Sequence, residues 1–265
     1  MVLEPNRFCV VHRTLEASTF ALLSFLACGI LSGLLIGAIG IGGVILVPLL
    51  TFVLGVDIYQ SIAASIFAFV VSGFVGTFIY AKRKVISWRE IKFIWIGAAP
   101  STLCGALLLS SVSKELLTLL IAFLTLGSAA RELLKQQKKS HDCAVVIAKS
   151  KLIFIGAVTG FFSALSGTGG PLILIPLMLW SSVPITMAIG LAQSIQLPIS
   201  IFATIGNSWS GILNLSIAIP LATGIAFGTY FGGIWIRGVP TSQIKKGVAI
   251  VLTVIGIAMT TSVLI

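Results

Sequence analysis

Apolar runs of membrane-crossing length alternate with short polar breaks from residue 18 onward, and the breaks fall into two matching series. The first series predicts segment A over 18–39, a short segment B over 44–54, C over 58–80, D over 93–109 and E over 116–130. The second predicts A′ over 152–165, B′ over 172–180, C′ over 185–205, D′ over 215–236 and E′ over 248–265. At 1.5 Å of rise per residue, crossing a ~30 Å hydrocarbon core takes about 20 helical residues, so B and B′ are too short to cross alone. Residues 1–17 read as a polar tail, 18–130 as a first transmembrane repeat, 131–151 as a linker and 152–265 as a second repeat. The expected class is an all-α polytopic membrane protein of two five-segment halves, with about 8–10 crossings at this segment length.

Each short segment opens on a glycine knot. The first is Gly40-Ile41-Gly42-Gly43, with Pro48 following; the second is Gly167-Thr168-Gly169-Gly170-Pro171, with Pro176 following. Gly33, Gly40, Gly42 and Gly43 each match a glycine 127 positions later, and Gly97 and Gly105 match Gly224 and Gly232 at the same offset. Ser65 and Ser194 match at an offset of 129. Glycine costs about 1 kcal/mol relative to alanine inside a helix, so neither knot reads as helix interior. Within hydrocarbon-length sequence, irregular backbone survives only where protein buries it or a cavity needs it. Paired glycine- and proline-broken segments at matching places in two halves point to a transporter's binding site.

Composition makes the membrane class firm: 57% of residues are hydrophobic and 9% charged, against roughly 25% charged in soluble domains. The net charge of +10 lies in short loops, as it does in membrane proteins, so nucleic acid is not an expected partner. Lys82, Arg83, Lys84, Arg89 and Lys92 crowd the C–D region, whereas the equivalent stretch 206–214 has no basic residue. Between D and E stands Lys114 alone, whereas D′–E′ holds Arg237, Lys245 and Lys246. Opposite bias at matching loops predicts that the halves cross in opposite senses, as an inverted repeat. The linker, with Arg131, Lys135, Lys138, Lys139, Lys149 and Lys151, is then cytoplasmic, and the expected location is a bacterial inner (plasma) membrane.

The expected spans contain no Asp, Glu, Lys, Arg or His. Acid–base or metal-assisted catalysis would need such groups in place, as would a proton relay, so an enzyme is not expected and no cofactor or metal is implied. Cys9, Cys28, Cys104 and Cys143 lack the spacing of a metal site or a disulfide framework; Cys28 and Cys104 are expected as small buried filler. Trp88, Trp180 and Trp209 stand near predicted segment ends, where interfacial anchoring is expected.

Two readings of the knots stay open. If B and B′ begin near mid-membrane, their positive helix ends and unpaired N–H groups hold an anion without a cationic side chain. Gly40, Gly42, Gly43, Gly167, Gly169 and Gly170 would then let the backbone approach the ligand, with hydroxyls from Ser163, Ser166 and Thr168 beside the second knot. The alternative is close helix packing through small residues. Gln193 and Gln196 are substrate donors or interhelical ties; Gln193, directly before Ser194, is the one expected to line the path together with Ser65 and Ser194.

The knots, with Pro48 and Pro176 and with Ser65 and Ser194 following, resemble the sulfite exporter TauE/SafE family of membrane permeases over about residues 20–260. The resemblance implies a secondary transporter working by alternating access on a small anion, such as sulfite, sulfoacetate, thiosulfate or another organic anion. The partners implied are that anion and the lipid bilayer, with room for a homo-oligomer. The C–D loop, Lys82 to Trp88, lacks a glycine that many members carry before the tryptophan, while the second half keeps Gly211. An uncoupled anion channel or a non-transporting membrane scaffold is the alternative.

Overall fold

The computed structural model describes residues 5–39, 43–82, 86–133, 147–181, 183–235 and 241–264. Within them the regular structure is helical: α1 (Pro5–Ile39), α2 (Gly43–Pro48), α3 (Ile58–Lys82), α4 (Trp88–Leu108), α5 (Lys114–Leu133), α6 (Lys149–Ser166), α7 (Pro171–Trp180), α8 (Ile185–Trp209), α9 (Leu215–Trp235) and α10 (Thr241–Leu264). α2 continues through a wider turn, Leu49–Val53, into one apolar piece that ends short of a full crossing, as does α7. Among the described residues, five stretches are long and apolar enough to span a membrane: Phe20–Gly37, Ile58–Lys82, Trp88–Ser111, Met187–Trp209 and Leu215–Gly232. α1 begins well before the expected start of segment A, so residues 5–17 are helical in continuity with it. Of the expected linker, residues 134–146 lie outside the described residues, as do Arg83, Lys84 and Arg237.

Polar side chains cap the starts of two helices. The Asp57 carboxylate accepts the Tyr59 N–H at 3.0 Å ahead of α3, and the Asn214 amide oxygen accepts the Ser216 N–H at 3.1 Å ahead of α9. Asp57 also forms an ion pair with Lys114, while the Tyr59 hydroxyl donates to the Val112 carbonyl at 2.8 Å. These contacts fasten the α4–α5 turn to the head of α3.

Burial works to raise the Asp57 pKa, but the Lys114 hydrogen bond, the Tyr59 amide and the lysine charge prevail and hold it below the usual value. Lys114 is held above its usual value, first by the same hydrogen bond and then by the carboxylate charge. A depressed carboxylate stabilises above its unfolded pKa and loses that contribution as pH falls through its folded one. A raised lysine does so below its unfolded pKa, until pH rises through its folded one. The tie is therefore whole at neutral pH. Asp57→Asn is expected to lower the melting temperature slightly at pH 7, with the deficit shrinking below the carboxylate range; a pH series of melting curves in detergent checks it.

Glycine decides how the long helices pair. α1 runs parallel to α9, with Gly29 on Leu221 and Gly224 and Gly33 on Ile225 and Gly228. α4 runs parallel to α6, with Gly97 on Ile153, Gly156 on Ile94 and Gly160 on Ala98 and Thr102. In this second pair the backbones touch: a β-carbon on Gly97 would lie 2.0 Å from the Ile153 carbonyl oxygen, and one on Gly156 would lie 2.1 Å from that of Ile94. α3 runs antiparallel to α8, with Ser72 on Gln196, Gly73 on Leu197 and Gly76 on Gln193. α5 packs along α10.

The pairing pattern maps onto itself when the first five helices are exchanged for the last five. α1–α9 becomes α6–α4, α3–α9 becomes α8–α4, and α3–α8 and α5–α10 become themselves. The buried core also has two ends. One gathers the starts of α4, α6 and α8 through Ile91, Leu152 and Ala188; the other gathers the start of α3 and the far ends of α4 and α8 through Ile58, Leu109 and Ala203. The first end, the basic end, carries Lys82, Arg89, Lys92, Lys149 and Lys151.

Candidate functional site

The second knot is a reversal that side chains would resist. α6 ends on Gly167 at φ +68°, whose N–H donates to the Ser163 carbonyl at 2.9 Å, a left-handed helix cap. Gly169 follows at φ +76° and Gly170 at φ +109°. Pro171 then opens α7, where its fixed φ and missing N–H suit a first helical position. Among the described residues, the amides of Thr168, Gly169 and Gly170 donate no hydrogen bond.

Packing carries this knot to the middle of α3 and α8. A β-carbon on Gly169 would meet the Phe69 ring at 3.0 Å and the Gln196 Nε2 at 3.4 Å. Phe69 and Gln196 are each the twelfth residue of a 25-residue helix. Gly167 packs on Val47 of α2 and on Ile62 of α3, and Gly170 on Ile195 and Ile199 of α8. Gly43, the first residue of α2, lies against the same Phe69 ring and against the Thr168 carbonyl oxygen, where its β-carbon would approach to 3.2 Å. Gly43 and the second knot thus converge on Phe69. Gly40 and Gly42 lie outside the described residues.

The polar side chains divide. The Ser166 hydroxyl donates to the Phe162 carbonyl at 2.7 Å and lies 3.0 Å from the Thr168 hydroxyl, bracing the knot from inside. Ser163 and Ser65 are fully buried, and among the described residues their hydroxyls have no hydrogen-bond partner. Ser194 turns back on its own helix, donating to Gly190 at 3.0 Å, and so stands apart from the group. Gln193 is buried beside Gly76 and is engaged in polar contact. Gln196 ties the central helices, its Nε2 donating to Ser72 Oγ at 2.8 Å with both groups buried. Among the described residues no three His, Cys, Asp or Glu side chains converge.

Phe69, Ser72 and Thr159 were not predicted, nor was the closeness of Gln196 to the knot. One signal was present. Ser32 and Thr159, Thr77 and Thr204, and Thr102 and Thr229 are hydroxyl residues separated by the same 127 positions. Among the described residues all six hydroxyl oxygens are buried and unpartnered, whereas Thr118, Thr125 and Thr253 donate to a carbonyl four residues back, as buried helix threonines usually do. Two readings change. Cys104 is exposed on the outside of its helix rather than buried filler, and Cys28 is half-buried. Trp88, Trp180 and Trp209 are exposed at helix ends.

The two glutamines separate by test. Gln196→Ala removes a buried tie, and loss of such a bond costs about 0.5–1.5 kcal/mol, rising if Ser72 stays unpaired. It is expected to lower the melting temperature more than it lowers transport. Gln193→Ala is expected to impair transport more than Gln196→Ala does. Unfolding curves set beside vesicle flux for both variants decide the matter.

A family model described as sulfite exporter TauE/SafE matches residues 25–259 of the chain. A probable membrane transporter protein of Haemophilus influenzae is 26% identical over 261 residues, which cover 91% of this chain and 98% of that protein. A probable membrane transporter protein of Bacillus subtilis is 27% identical, covering 86% and 93%. One from Methanocaldococcus jannaschii is 27% identical, covering 73% and 77%. No solved structure matches.

Proposed function

The chain belongs to the sulfite exporter TauE/SafE family of membrane transporters, and from that premise we propose that it carries a small sulfur oxyanion or organosulfonate across a bacterial inner membrane by alternating access. Sulfite and sulfoacetate are the leading substrates. The observation that carries this reading is the meeting of Gly43 with the second knot at mid-helix, where three amides donate to no protein partner among the described residues. Backbone N–H groups of Thr168, Gly169 and Gly170 just before α7 attract an anion without fixing it through a full charge, which leaves release easy. Ser163 adds an unpaired hydroxyl donor one turn before Gly167.

An inverted repeat supplies the two access states. Its support is the antiparallel run of α3 against its own counterpart α8, together with the self-mapping of the interfaces. On this reading α1, α3 and α9 form one unit and α4, α6 and α8 the other. Each joins helices from both halves, and the units rock across the α3–α8 contact. Reconstituted full-length protein is expected to give saturable sulfite uptake that sulfoacetate inhibits and that carries negative charge. Non-saturating flux would point instead to a channel, and absence of flux for both anions would remove the substrate assignment.

A further inference from the structure

The contact between α3 and α8 is tight on one side of its midpoint and polar on the other. Toward the basic end, a β-carbon on Gly73 would meet the Leu197 amide nitrogen at 3.0 Å, and one on Gly76 would meet Gln193 Oε1 at 2.8 Å. Toward the opposite end the same helix faces carry Ser65, Thr204 and Asn207. Thr204 and Asn207 each lie eleven residues, about three turns, beyond Gln193 and Gln196, so they share that face of α8. Ser65 lies seven residues, about two turns, before Ser72 on the facing side of α3. Continuing the antiparallel register of Ser72 with Gln196 sets Ser65 opposite Thr204 and Ile62 opposite Asn207. Ile62 is also the residue whose Cα lies against Gly167.

Among the described residues, four polar atoms on this stretch are buried without a partner: Ser65 Oγ, Thr204 Oγ1, and both Nδ2 and Oδ1 of Asn207. Asn207 is fully buried two residues before the end of α8; its backbone carbonyl accepts the Ile212 amide at 3.1 Å, while among the described residues its side-chain amide has no partner. An asparagine amide unpaired at both ends is costly to bury, and such groups call for a missing partner. We propose that Asn207, with Thr204 and Ser65, forms an outer subsite that receives the oxyanion at the end of the seam away from the basic loops and passes it to the second knot. The amide offers two N–H donors and the hydroxyls one each, which suits a three-oxygen sulfur anion; Oδ1 takes a proton donor such as the O–H of a protonated anion or a water. The inference rests on the transport reading above.

The test uses sulfite and the full chain in proteoliposomes, with flux measured from each face. Asn207→Leu is expected to raise the KM about tenfold or more from the face bearing residue 207, the worth of one hydrogen bond to a charged ligand, and to leave the other face within about twofold. Asn207→Asp is expected to weaken it further at pH 7, because a carboxylate repels the anion. An unchanged KM on both faces, or an equal shift on both with a lowered melting temperature, overturns the subsite in favour of packing. A second measurement needs no transport. With the four native cysteines replaced by serine, Asn207→Cys is expected to react with a membrane-impermeant thiol reagent from that one face and more slowly with sulfite present. No reaction overturns the subsite. Wild-type vesicles that take up no sulfite sink the transport reading instead, while the labelling still decides whether the seam opens to water at residue 207.

Discussion

Gly170→Val is expected to abolish transport, and Gly170→Ala to cut it at least tenfold, whereas Gly43→Ala is milder. By added volume alone, alanine at either glycine is expected to be milder than valine. The backbone separates them. Gly170 stands at φ +109°, where any β-carbon is strained at a cost of roughly 1–3 kcal/mol. That carbon would also meet Ile199 Cδ1 at 2.9 Å and Ile195 Cγ2 at 3.1 Å. Gly43 opens α2 in ordinary helical backbone, and its β-carbon would press the Phe69 ring edge at 3.0 Å, a contact that a small ring shift relieves. Valine at Gly170 adds a branched side chain across the unpaired amides, so the anion loses both room and donors. Sulfite binding in detergent, measured for Gly170→Val, Gly170→Ala, Gly43→Ala and the loop variant Lys149→Ala, checks the set. Full affinity in Gly170→Val, or loss confined to Lys149→Ala, would falsify the knot as the binding site.

A still larger effect on the folded protein is expected from Gly97→Leu or Gly156→Leu. The new β-carbons would lie about 2 Å from carbonyl oxygens of the neighbouring helix, and backbone cannot swing aside as a side chain does. α4 and α6 would have to separate along their shared length, at a cost above the 1–3 kcal/mol of ordinary overpacking. Gly127 is the control: a β-carbon there meets nothing within 4 Å, so Gly127→Ala is expected to be neutral or to add up to about 1 kcal/mol through helix propensity. Size-exclusion profiles and melting curves in detergent should show aggregated or unfolded protein for the first two and a wild-type profile for the third. Normal profiles for Gly97→Leu would mean that the α4–α6 contact is looser than its glycines indicate.

Much of the molecule was legible from local physics. Apolar run lengths placed most helices within about five residues, because a chain in hydrocarbon must satisfy its backbone hydrogen bonds within each helix, while α1 and α10 begin earlier, on polar residues. The second knot's glycines marked where α6 must stop, since glycine alone takes positive φ at little cost. The family, too, could be read from the knots and the prolines that follow them. What one strand of sequence could not contain was which helix lies against which. The α1–α9 and α4–α6 pairs join segments from opposite halves, and only the fit of backbone to backbone at Gly97, Gly156, Gly224 and Gly228 selects them. The same holds for side-chain roles. Gln193 and Gln196 are indistinguishable as amides in an apolar run, and only the antiparallel register of α3 and α8 gives Gln196 to Ser72 and sets Gln193 against Gly76. Periodicity reports what a residue does to its own helix; a partner at a separation of 124 positions is decided by packing alone.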